Sequence, residues 1–446
     1  MLIRSISGVR GLTATHLTPA VVCRYAQAVH QFLPQGAVIL GRDTRPSGEA
    51  LNRALAETLI ALGRDVVDCG IVPTPTVQFV VEKTEAAGGI ITTASHNPIE
   101  WNGLKFVRGD GTFFHPGECE QLFALVDSGE TLEKATEPGA YIPENDALRK
   151  HVNHIVNLKC IDLQTIRKRR FRVVIDAVNG AGAEALPMLL DALGCEVVKV
   201  NCELTGDFVR GAEPLPENLA TLCETVKTGS VDVGFAVDPD ADRLAIVSEK
   251  GKPLGEEYTL VLAVEGYLLT TRRQETFVTN LSSSMVLDKL AEGYGCTVVR
   301  SAVGEINVVR KMLDLGANLG GEGNGGVILR EAHLGRDSLV GGALVLNRMA
   351  LSKKSLSAIH ARLPQFEIVK DRVALKGIRV EESLEQVRRL FADAVINTED
   401  GLKFTWNDRW IHLRKSNTEP ILRIYAEAPT AQQARRLVQK VKGVFQ

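Results

Sequence analysis

The sequence predicts an α/β protein with three repeated α/β domains, each built on a mixed sheet, and a smaller C-terminal α+β domain, all arranged around one cleft. Two observations predict this fold. The phrase Gly-x-x-Val-Val occurs three times, each time after a helix-like stretch. From about Phe366 the spacing of strands and helices changes. Ligands of α/β folds collect beyond the strand ends, so the loops at those ends are the first candidates for function.

Each repeat is predicted to run as strand, polar turn, helix and a second strand that opens with the glycine phrase. The first strands are Val38–Leu40, Val173–Ile175 and Phe277–Val278, and the phrases begin at Gly63, Gly194 and Gly295. Downstream of each unit lies a loop of unusual composition: Thr93–Pro98, Asp238–Arg243 and Gly321–Gly326. Gly and Val are common residues, so the matching surroundings carry more weight than the phrase itself.

The repeats and the later change of pattern predict four domains, at residues 1–148, 149–250, 251–364 and 365–446. A helix is expected at Ser355–Leu363. For the last domain the pattern predicts strands Ile368–Leu375, Leu402–Trp406, Trp410–Arg414 and Ile421–Glu427, with helices Glu381–Ala394 and Ala431–Val441.

Composition excludes several functional classes. The chain has 52 basic and 54 acidic residues, a net charge of −2 and no long single-sign block, so neither nucleic acid nor a membrane is an expected partner. Its eight cysteines include no C-x-x-C pair, which disfavours zinc and disulfides and favours buried free thiols. No signal-peptide core opens the sequence and no apolar run reaches about 18 residues. A cytoplasmic protein is expected, and a homodimer is left open.

The hexapeptide Thr93-Ala94-Ser95-His96-Asn97-Pro98 follows the strand-like run Gly88–Thr92. A sharp turn there is expected to leave the Ser95 hydroxyl exposed at the carboxyl edge of a sheet, as a candidate reacting group. The alternative is a turn that Ser95 or Asn97 merely caps and Pro98 ends.

The segment Asp238-Pro239-Asp240-Ala241-Asp242-Arg243 is the strongest local signal, because crowded carboxylates need a cation or basic side chains to neutralise them. An EF-hand calcium loop is disfavoured, since Arg243 stands where that loop requires glycine and Leu244–Val247 resembles a strand. A solvated acidic turn remains the other alternative. Three carboxylates leave coordination positions open, which suits Mg²⁺ acting on a phosphate oxygen.

Two further loops could bind a substrate. The glycine-rich run Gly320–Gly326 offers only one carboxylate and one amide, groups suited to sugar hydroxyls, although a turn without a ligand explains it as well. The loop Arg414–Pro420 places two cations beside three hydrogen-bonding side chains between predicted strands. Such a loop can hold a phosphate, and the following strand leaves no helix for a capping box to cap.

Together, and in this order, the four loops resemble those of the α-D-phosphohexomutase superfamily, which includes phosphoglucomutase, phosphomannomutase and phosphoglucosamine mutase. The resemblance covers essentially the whole chain. It begins at Ser7–Gly11, which is similar to the family's amino-terminal G-[IV]-R-G, and ends at the Arg414–Pro420 loop. Four motifs in the right order make accidental similarity improbable.

The resemblance implies a role for each matching residue: Ser95 carries the phosphoryl group, Lys105 matches a lysine proposed for acid–base chemistry, and the other catalytic positions contact phosphate. The implied catalytic residues are Ser95, Lys105, Arg10, His96 and Arg243. The implied magnesium ligands are Ser95, Asp238, Asp240 and Asp242. The implied substrate-binding residues are Glu322 and Asn324 for the sugar and Arg414, Ser416, Asn417 and Thr418 for the phosphate that does not react.

The implied reaction is a double phosphoryl transfer on a small sugar phosphate. Phospho-Ser95 donates to a hexose monophosphate, the bisphosphate reorients, and its other phosphate returns to Ser95; a hexose 1,6-bisphosphate also primes the enzyme. One Mg²⁺ per chain is implied. Three aspartates and a phosphate dianion total about −5, so Arg10, Lys105 and Arg243 are needed to balance the charge.

Departures from the family pattern bear on the substrate. Many members have Ser and His where this chain has Asn324 and Gly326, and Glu305 replaces a histidine of some phosphomannomutase/phosphoglucomutase enzymes. The Gly-Glu-Gly-Asn-Gly-Gly form looks most like archaeal-type phosphoglucosamine mutases, and Glu322 and Glu305 would suit an ammonium-bearing sugar. Conversion of glucosamine-6-phosphate to glucosamine-1-phosphate is therefore predicted. The alternatives are a phosphoglucomutase or phosphomannomutase, a metal-dependent sugar phosphatase and a non-enzymatic sensor.

Overall fold

The computed structural model describes residues 2–416 and 420–445 and divides the chain into two compact units. The first unit comprises Met1–Arg273 and Asn324–His360, and the second comprises Gln274–Gly323 and Ala361–Gln446. The first two α/β repeats lie in the first unit, whereas the third repeat contributes to both. No helix among the described residues is long and apolar enough to cross a bilayer.

The first repeat folds as a seven-stranded mixed sheet in the order β1-β2-β6-β5-β3-β4-β7. Its elements are β1 (Ile3–Ser5), β2 (Gly8–Leu12), α1 (Pro19–Phe32), β3 (Val38–Arg42), α2 (Gly48–Ala61), β4 (Val66–Ile71), α3 (Thr74–Glu82), β5 (Gly88–Thr92), β6 (Trp101–Arg108), α4 (Pro116–Ser128) and β7 (Tyr141–Pro143). The central strand β5 is apolar and buried throughout, as expected for a strand covered on both faces.

The second repeat forms a four-stranded mixed sheet in the order β11-β10-β8-β9. Its elements are α5 (Ala147–Val156), α6 (Leu163–Arg169), β8 (Arg172–Asp176), α7 (Gly182–Ala192), β9 (Glu196–Val200), α8 (Ala220–Thr228), β10 (Val233–Val237) and β11 (Leu244–Ser248), with a short 3-10 turn at Pro216–Asn218. The strand predicted at Leu244–Val247 is confirmed as β11, which pairs antiparallel with β10.

In the third repeat, strand β12 pairs in parallel with β13 on one side and β14 on the other. The elements are α9 (Glu257–Thr271), β12 (Thr276–Asn280), α10 (Val286–Gly293), β13 (Thr297–Ser301), α11 (Glu305–Leu315), β14 (Leu319–Glu322), β15 (Gly326–Leu329), α12 (Ser338–Ser352) and α13 (Leu356–His360). The helix expected over Ser355–Leu363 is thus present but shorter.

The three repeats place their candidate loops equivalently. The first strand of each unit, β3, β8 or β12, pairs in parallel with the strand of the glycine phrase, β4, β9 or β13. Its other neighbour, also parallel, is β5, β10 or β14. Each candidate loop follows that last strand, so all three loops leave the carboxyl end of an equivalent strand.

The repeated glycine has a conformational cause. Gly63, Gly194 and Gly295 have φ of 84°, 75° and 66°, one residue beyond the caps of α2, α7 and α10. In each case the next amide reaches back to a carbonyl in the last helical turn, as from Arg64 N to Leu59 O at 3.0 Å. Glycine is favoured in this left-handed position, and the chain then turns directly into a strand.

The last part of the chain forms a five-stranded antiparallel sheet in the order β16-β20-β19-β18-β17. Its elements are β16 (Glu367–Ala374), α14 (Val380–Leu390), β17 (Val395–Asn397), β18 (Leu402–Thr405), β19 (Trp410–Lys415), β20 (Ile421–Ala428) and α15 (Ala431–Val444). All four predicted strands and both predicted helices are confirmed, and β17 is an additional edge strand. The fold class predicted from the sequence, three α/β domains and a smaller α+β domain, is therefore confirmed. The eight cysteines, all among the described residues, form no disulfide, and four of them are buried.

Candidate active site

The serine loop begins directly after β5 and turns sharply at Ser95, whose φ is +50°. The turn is fixed from within, since the Ser95 amide donates to Thr93 Oγ1 at 2.9 Å. Thr93 Oγ1 in turn donates to Asp43 Oδ2 at 2.6 Å. Ser95 is 1% exposed, so the expectation of an exposed hydroxyl was wrong. The hydroxyl does lie beyond a strand end, but other side chains cover it.

Arg45, which follows β3 and is fully buried, holds the serine loop through its backbone carbonyls. Its Nε donates to Asp43 Oδ2 at 3.0 Å. Its guanidinium carbon lies 4.8 Å from the centroid of the Phe208 ring. Its two terminal nitrogens donate to four loop carbonyls, those of Ser95 (2.7 Å), Asn97 (2.7 Å), Pro98 (2.6 Å) and Trp101 (3.1 Å). A guanidinium has five N–H donors in one plane and can satisfy all five of these acceptors, whereas a lysine ammonium has only three donors. Sequence reasoning missed this residue.

The three aspartates of the second loop lie together in the turn between β10 and β11. Asp238, Asp240 and Asp242 are each at most 1% exposed, and one ligand atom from each lies within 4.8 Å of the others. Ala241, with φ of +51°, turns the chain so that the alternate carboxylates converge. The Oδ1 atoms of Asp240 and Asp242 are buried without a hydrogen-bond partner among the described residues. Buried lone pairs of this kind fit a hard divalent cation.

Ser95 and the aspartate cluster form one site, since Ser95 Oγ donates to Asp238 Oδ2 at 3.2 Å. Burial, and then the charges of Asp242 and Asp240, raise the pKa of Asp238 well above its usual value. Three ionised carboxylates are therefore unfavourable here without added positive charge. The serine hydroxyl thus directly contacts one of the three carboxylates.

Lys105, in β6, supplies part of that charge. Its Nζ lies 2.7 Å from Asp240 Oδ2 and 3.4 Å from Asp242 Oδ2. Burial alone would lower the pKa of Lys105, but the two carboxylates outweigh burial and raise it. Thr74 Oγ1 also donates to Asp240 Oδ2, at 2.7 Å. Burial would raise the pKa of Asp240, but Lys105 and the Thr74 hydrogen bond outweigh burial and lower it. Lys105 is thus held protonated.

Arg243 and His96 flank the same carboxylates. Arg243 Nε lies 3.9 Å from Asp238 Oδ2 and 3.7 Å from Asp242 Oδ1, and its Nη1 donates to Glu213 Oε1 at 3.0 Å. Its Nη2 lies 3.1 Å from His96 Nδ1, which must accept because guanidinium only donates. Burial, then the charge of Arg243, lowers the pKa of His96 to about 3. His96 is neutral and too weak a base to form a Ser-His catalytic pair.

Arg10, in β2, is tied to the serine loop through Asn97. Its Nη1 donates to Asn97 Oδ1 at 2.7 Å. Burial lowers the pKa of Arg10, although Asp240 opposes that effect, so Asp240 lies within its electrostatic reach. Arg10 therefore joins Lys105 and Arg243 as the third predicted cation brought to the serine.

Arg336, just before α12, is a fourth cation that sequence reasoning missed. It is 8% exposed, and its Nη2 donates to Asp242 Oδ2 at 2.6 Å. The next residues hold this segment in place: Asp337 caps α12 at the Leu339 amide, and Ser338 Oγ donates to Ala241 O at 2.7 Å. No local pattern marks Arg336, because its partner lies 94 residues away in sequence.

The predicted sugar-binding and phosphate-binding residues are mostly in the second unit. Glu322, 3% exposed, accepts hydrogen bonds at Oε1 from Asn280 Nδ2 (2.8 Å) and Gly304 N (3.0 Å). Arg414 pairs with Asp400 at 2.8 Å, and the Ser416 amide donates to Ile421 O at 3.0 Å. Asn324 belongs to the first unit, where its Oδ1 accepts from Gly326 N at 3.3 Å. Asn417 and Thr418 lie outside the described residues.

Four family models match the chain in order. They are described as phosphoglucomutase/phosphomannomutase alpha/beta/alpha domain I at residues 2–133, domain II at 149–251, domain III at 244–366 and the C-terminal domain at 375–444.

Relatives and solved structures agree with the family models. A phosphoglucomutase/phosphomannomutase of Thermococcus kodakarensis is 36% identical, covering 97% of this chain and 96% of its own. A phosphoglucosamine/phosphogalactosamine mutase of Sulfurisphaera tokodaii is 33% identical, with 98% of both chains covered. The crystal structure of a phosphoglucomutase/phosphomannomutase family protein from Burkholderia thailandensis superposes with a TM-score of 0.86 at 27% identity, covering 99% of this chain and 97% of that one.

Proposed function

The chain belongs to the phosphoglucomutase/phosphomannomutase family and is a phosphohexomutase, and from that premise we propose that Ser95 carries the phosphoryl group between the 6- and 1-positions of a hexose phosphate. One observation carries the proposal: the Ser95 hydroxyl, buried and bonded to Asp238, lies in a cluster of carboxylates and cations. Phosphoryl transfer needs mainly positioning and charge neutralisation, and this cluster supplies both.

Asp238, Asp240 and Asp242 are proposed to hold one Mg²⁺ together with an oxygen on Ser95. The Oδ1 atoms of Asp240 and Asp242, which have no hydrogen-bond partner among the described residues, support this assignment. When bound, Mg²⁺ would neutralise charge on the transferring phosphoryl group. Arg10 and Arg243 are proposed to contact its remaining oxygens, with His96 as a neutral neighbour.

Lys105 is proposed to relay the one proton that each transfer moves. In the first transfer the serine–phosphate bond breaks and a bond to the sugar oxygen forms, so the serine oxygen gains a proton and the sugar hydroxyl loses one. Lys105 can donate to the serine oxygen and be protonated again by the hydroxyl. Its raised pKa supports a protonated resting state, from which Lys105 can donate. A hexose 1,6-bisphosphate would load Ser95 with its first phosphoryl group.

For the substrate, we propose glucosamine-6-phosphate, bound by Glu322 and Asn324 at the sugar and by the Arg414 loop at its unreactive phosphate. Glu322 and Glu305 are both buried in the second unit, at 3% and 8% exposure, and carboxylates suit an ammonium-bearing sugar. The Sulfurisphaera relative is named for amino sugars, whereas the Thermococcus relative is named for glucose and mannose phosphates. A phosphoglucomutase or phosphomannomutase is therefore the second candidate.

The serine assignment is tested by replacing Ser95 with alanine. We expect Ser95→Ala to lose mutase turnover and to take up no phosphate from glucose 1,6-bisphosphate, as judged by intact mass and peptide mapping. Ser5→Ala, a change on the half-buried edge strand β1, is the matched control. Phosphate uptake at another residue, or normal turnover by Ser95→Ala, would refute the role of Ser95.

The substrate proposal has its own test. Turnover of glucosamine-6-phosphate, glucose-1-phosphate and mannose-1-phosphate is compared at equal enzyme concentration. The amino sugar is expected to give the highest kcat/KM. A higher value for glucose or mannose phosphate would establish the second candidate, and net release of inorganic phosphate would indicate a phosphatase.

A further inference from the structure

Arg336 contacts Asp242, and Gly326, in the glycine-rich loop Gly320–Gly326, explains how the arginine side chain reaches that carboxylate. A Cβ atom at Gly326 would lie 2.3 Å from Arg336 Cδ and 2.8 Å from its Cγ. Both distances are shorter than carbon atoms allow, so any larger residue at 326 would push the arginine aside. Gly326 and Arg336 are therefore a pair: the missing side chain at one position makes room for the charge at the other.

The contact also places Arg336 among the charges of the reaction centre. The aspartate triad contributes −3, and Arg10, Lys105 and Arg243 together contribute +3. Arg336 lies near enough to act electrostatically on Asp242 and on all three of these cations. Its guanidinium thus adds a fourth positive charge to a buried cluster, where like charges oppose the binding of another cation and favour an added anion.

We propose that Arg336, admitted by Gly326, is a positioning residue that fixes Asp242 through its Oδ2 atom and adds positive charge for the transferring phosphoryl group, at a cost in metal affinity. This inference rests on the proposed function of the Ser95 site. The hydrogen bond to Oδ2 leaves Oδ1, which has no hydrogen-bond partner among the described residues and lies 3.7 Å from Arg243 Nε, as the oxygen of Asp242 available to a cation. The anion that Arg336 favours is a phosphate monoester, the group that every step of the proposed reaction handles.

The proposal predicts opposite changes in two measured quantities. Removing the charge with Arg336→Ala should tighten Mn²⁺ binding by about tenfold, since a repelling cation is lost close to the site. The same variant should lower kcat/KM by about tenfold or more, because the phosphoryl charge is less well balanced. A purely structural role would weaken metal binding and activity together.

The experiment uses the full-length protein, dephosphorylated for the metal measurement and primed with glucose 1,6-bisphosphate for the turnover assay. Mn²⁺ binding is measured by calorimetry and mutase turnover by a coupled assay for Arg336→Ala, with Arg330→Ala as the matched control, because Arg330 is exposed on the same unit. Arg336→Lys, which keeps the charge, should retain Mn²⁺ affinity within about threefold of the wild type. Equal or weaker Mn²⁺ binding by Arg336→Ala would overturn the proposal.

Gly326→Ala tests the pair independently and covers the case in which Arg336→Ala fails to fold. The added methyl group should displace Arg336 and reproduce both changes, tighter Mn²⁺ binding and lower kcat/KM. In a chain that also carries Arg336→Ala, the methyl group should have no further effect on Mn²⁺ affinity, so the two changes are non-additive in that quantity. Full additivity would overturn the pairing. If the wild-type protein binds Mn²⁺ but moves no phosphoryl group, the proposed function fails instead, and the metal measurements still decide the role of Arg336.

Discussion

Replacing Arg45 with methionine removes the side chain that holds the serine loop. Arg45 donates to four carbonyls of that loop and pairs with Asp43. The pair and the bond to Ser95 O are buried, whereas the bonds to Asn97, Pro98 and Trp101 are partly buried. Breaking a buried ion pair by removing one partner costs about 3–5 kcal/mol. A hydrogen bond from a charged group contributes about 1.5–3 kcal/mol. Adding four such bonds to the ion pair would overestimate the loss of unfolding free energy, because these contributions are not additive.

We therefore expect Arg45→Met to lower the free energy of unfolding by about 4 kcal/mol, close to the cost of the broken pair alone, because some freed carbonyls can turn to water. Against a typical total of about 5–15 kcal/mol, the protein should still fold. Its kcat should fall sharply, because Ser95 O loses one of the bonds that hold the turn in which Ser95 has a φ of +50°.

Urea unfolding followed by far-UV circular dichroism measures the effect. The control is Arg53→Met on α2, where the pair with Glu49 is exposed (64% and 66%) and should contribute under about 1 kcal/mol. Adding Asp43→Asn to Arg45→Met should recover part of the loss, since it removes the unpaired buried charge. If Arg45→Met unfolds at the same urea concentration as Arg53→Met, the proposed role of Arg45 is wrong.

Two further predictions concern a close backbone approach and a buried histidine. Gly103→Ala places a methyl group 2.6 Å from Thr93 O and 2.7 Å from Val9 O. We expect this variant to lose about 1–3 kcal/mol of unfolding free energy and to turn over more slowly. The control Gly117→Ala, which has open space around the added methyl group, should not lose stability. His412 has a pKa lowered to about 4, mainly by burial, so the folded state binds fewer protons than the unfolded state between that value and about 6.5. The stability that the neutral histidine contributes is complete above about pH 6.5 and is lost as pH falls toward about 4, by up to about 3 kcal/mol. Thermal melts of His412→Gln should therefore show a smaller loss of stability in acid than the wild type does. An equal loss in the two proteins would contradict the prediction.

The repeated architecture could be predicted from the sequence because its cause is local. A glycine in the left-handed conformation after a helix leads into a β-branched strand, and both signals lie within five residues. The turns at Ser95 and at Asp238–Asp242 were found for the same reason, since their polar residues adjoin apolar strands. The mixed strand directions of the first sheet were harder to predict, because β6, which carries Lys105, was not recognised as a strand.

The residues that sequence reasoning missed act over long separations. Arg45 contacts carbonyls about fifty positions away, and Arg336 contacts Asp242 across 94 positions. An arginine in a turn is ordinarily solvated, so neither position carries a signal of burial. The burial of Ser95 was missed for a related reason, because the groups that cover it come from other parts of the chain. The domain boundaries and the residue roles proposed from the resemblance stay predictions.

The short distance between Gly326 and Arg336 also limits how this enzyme can be redesigned. Each repeat carries its loop at the end of an equivalent strand, which suggests that loops could be transplanted between homologues to change sugar preference. For the Gly320–Gly326 segment such a graft would fail whenever the donor loop brings a side chain to position 326. The recipient would need a smaller residue at 336 in the same step, so the unit of exchange is a loop together with one residue ten positions downstream.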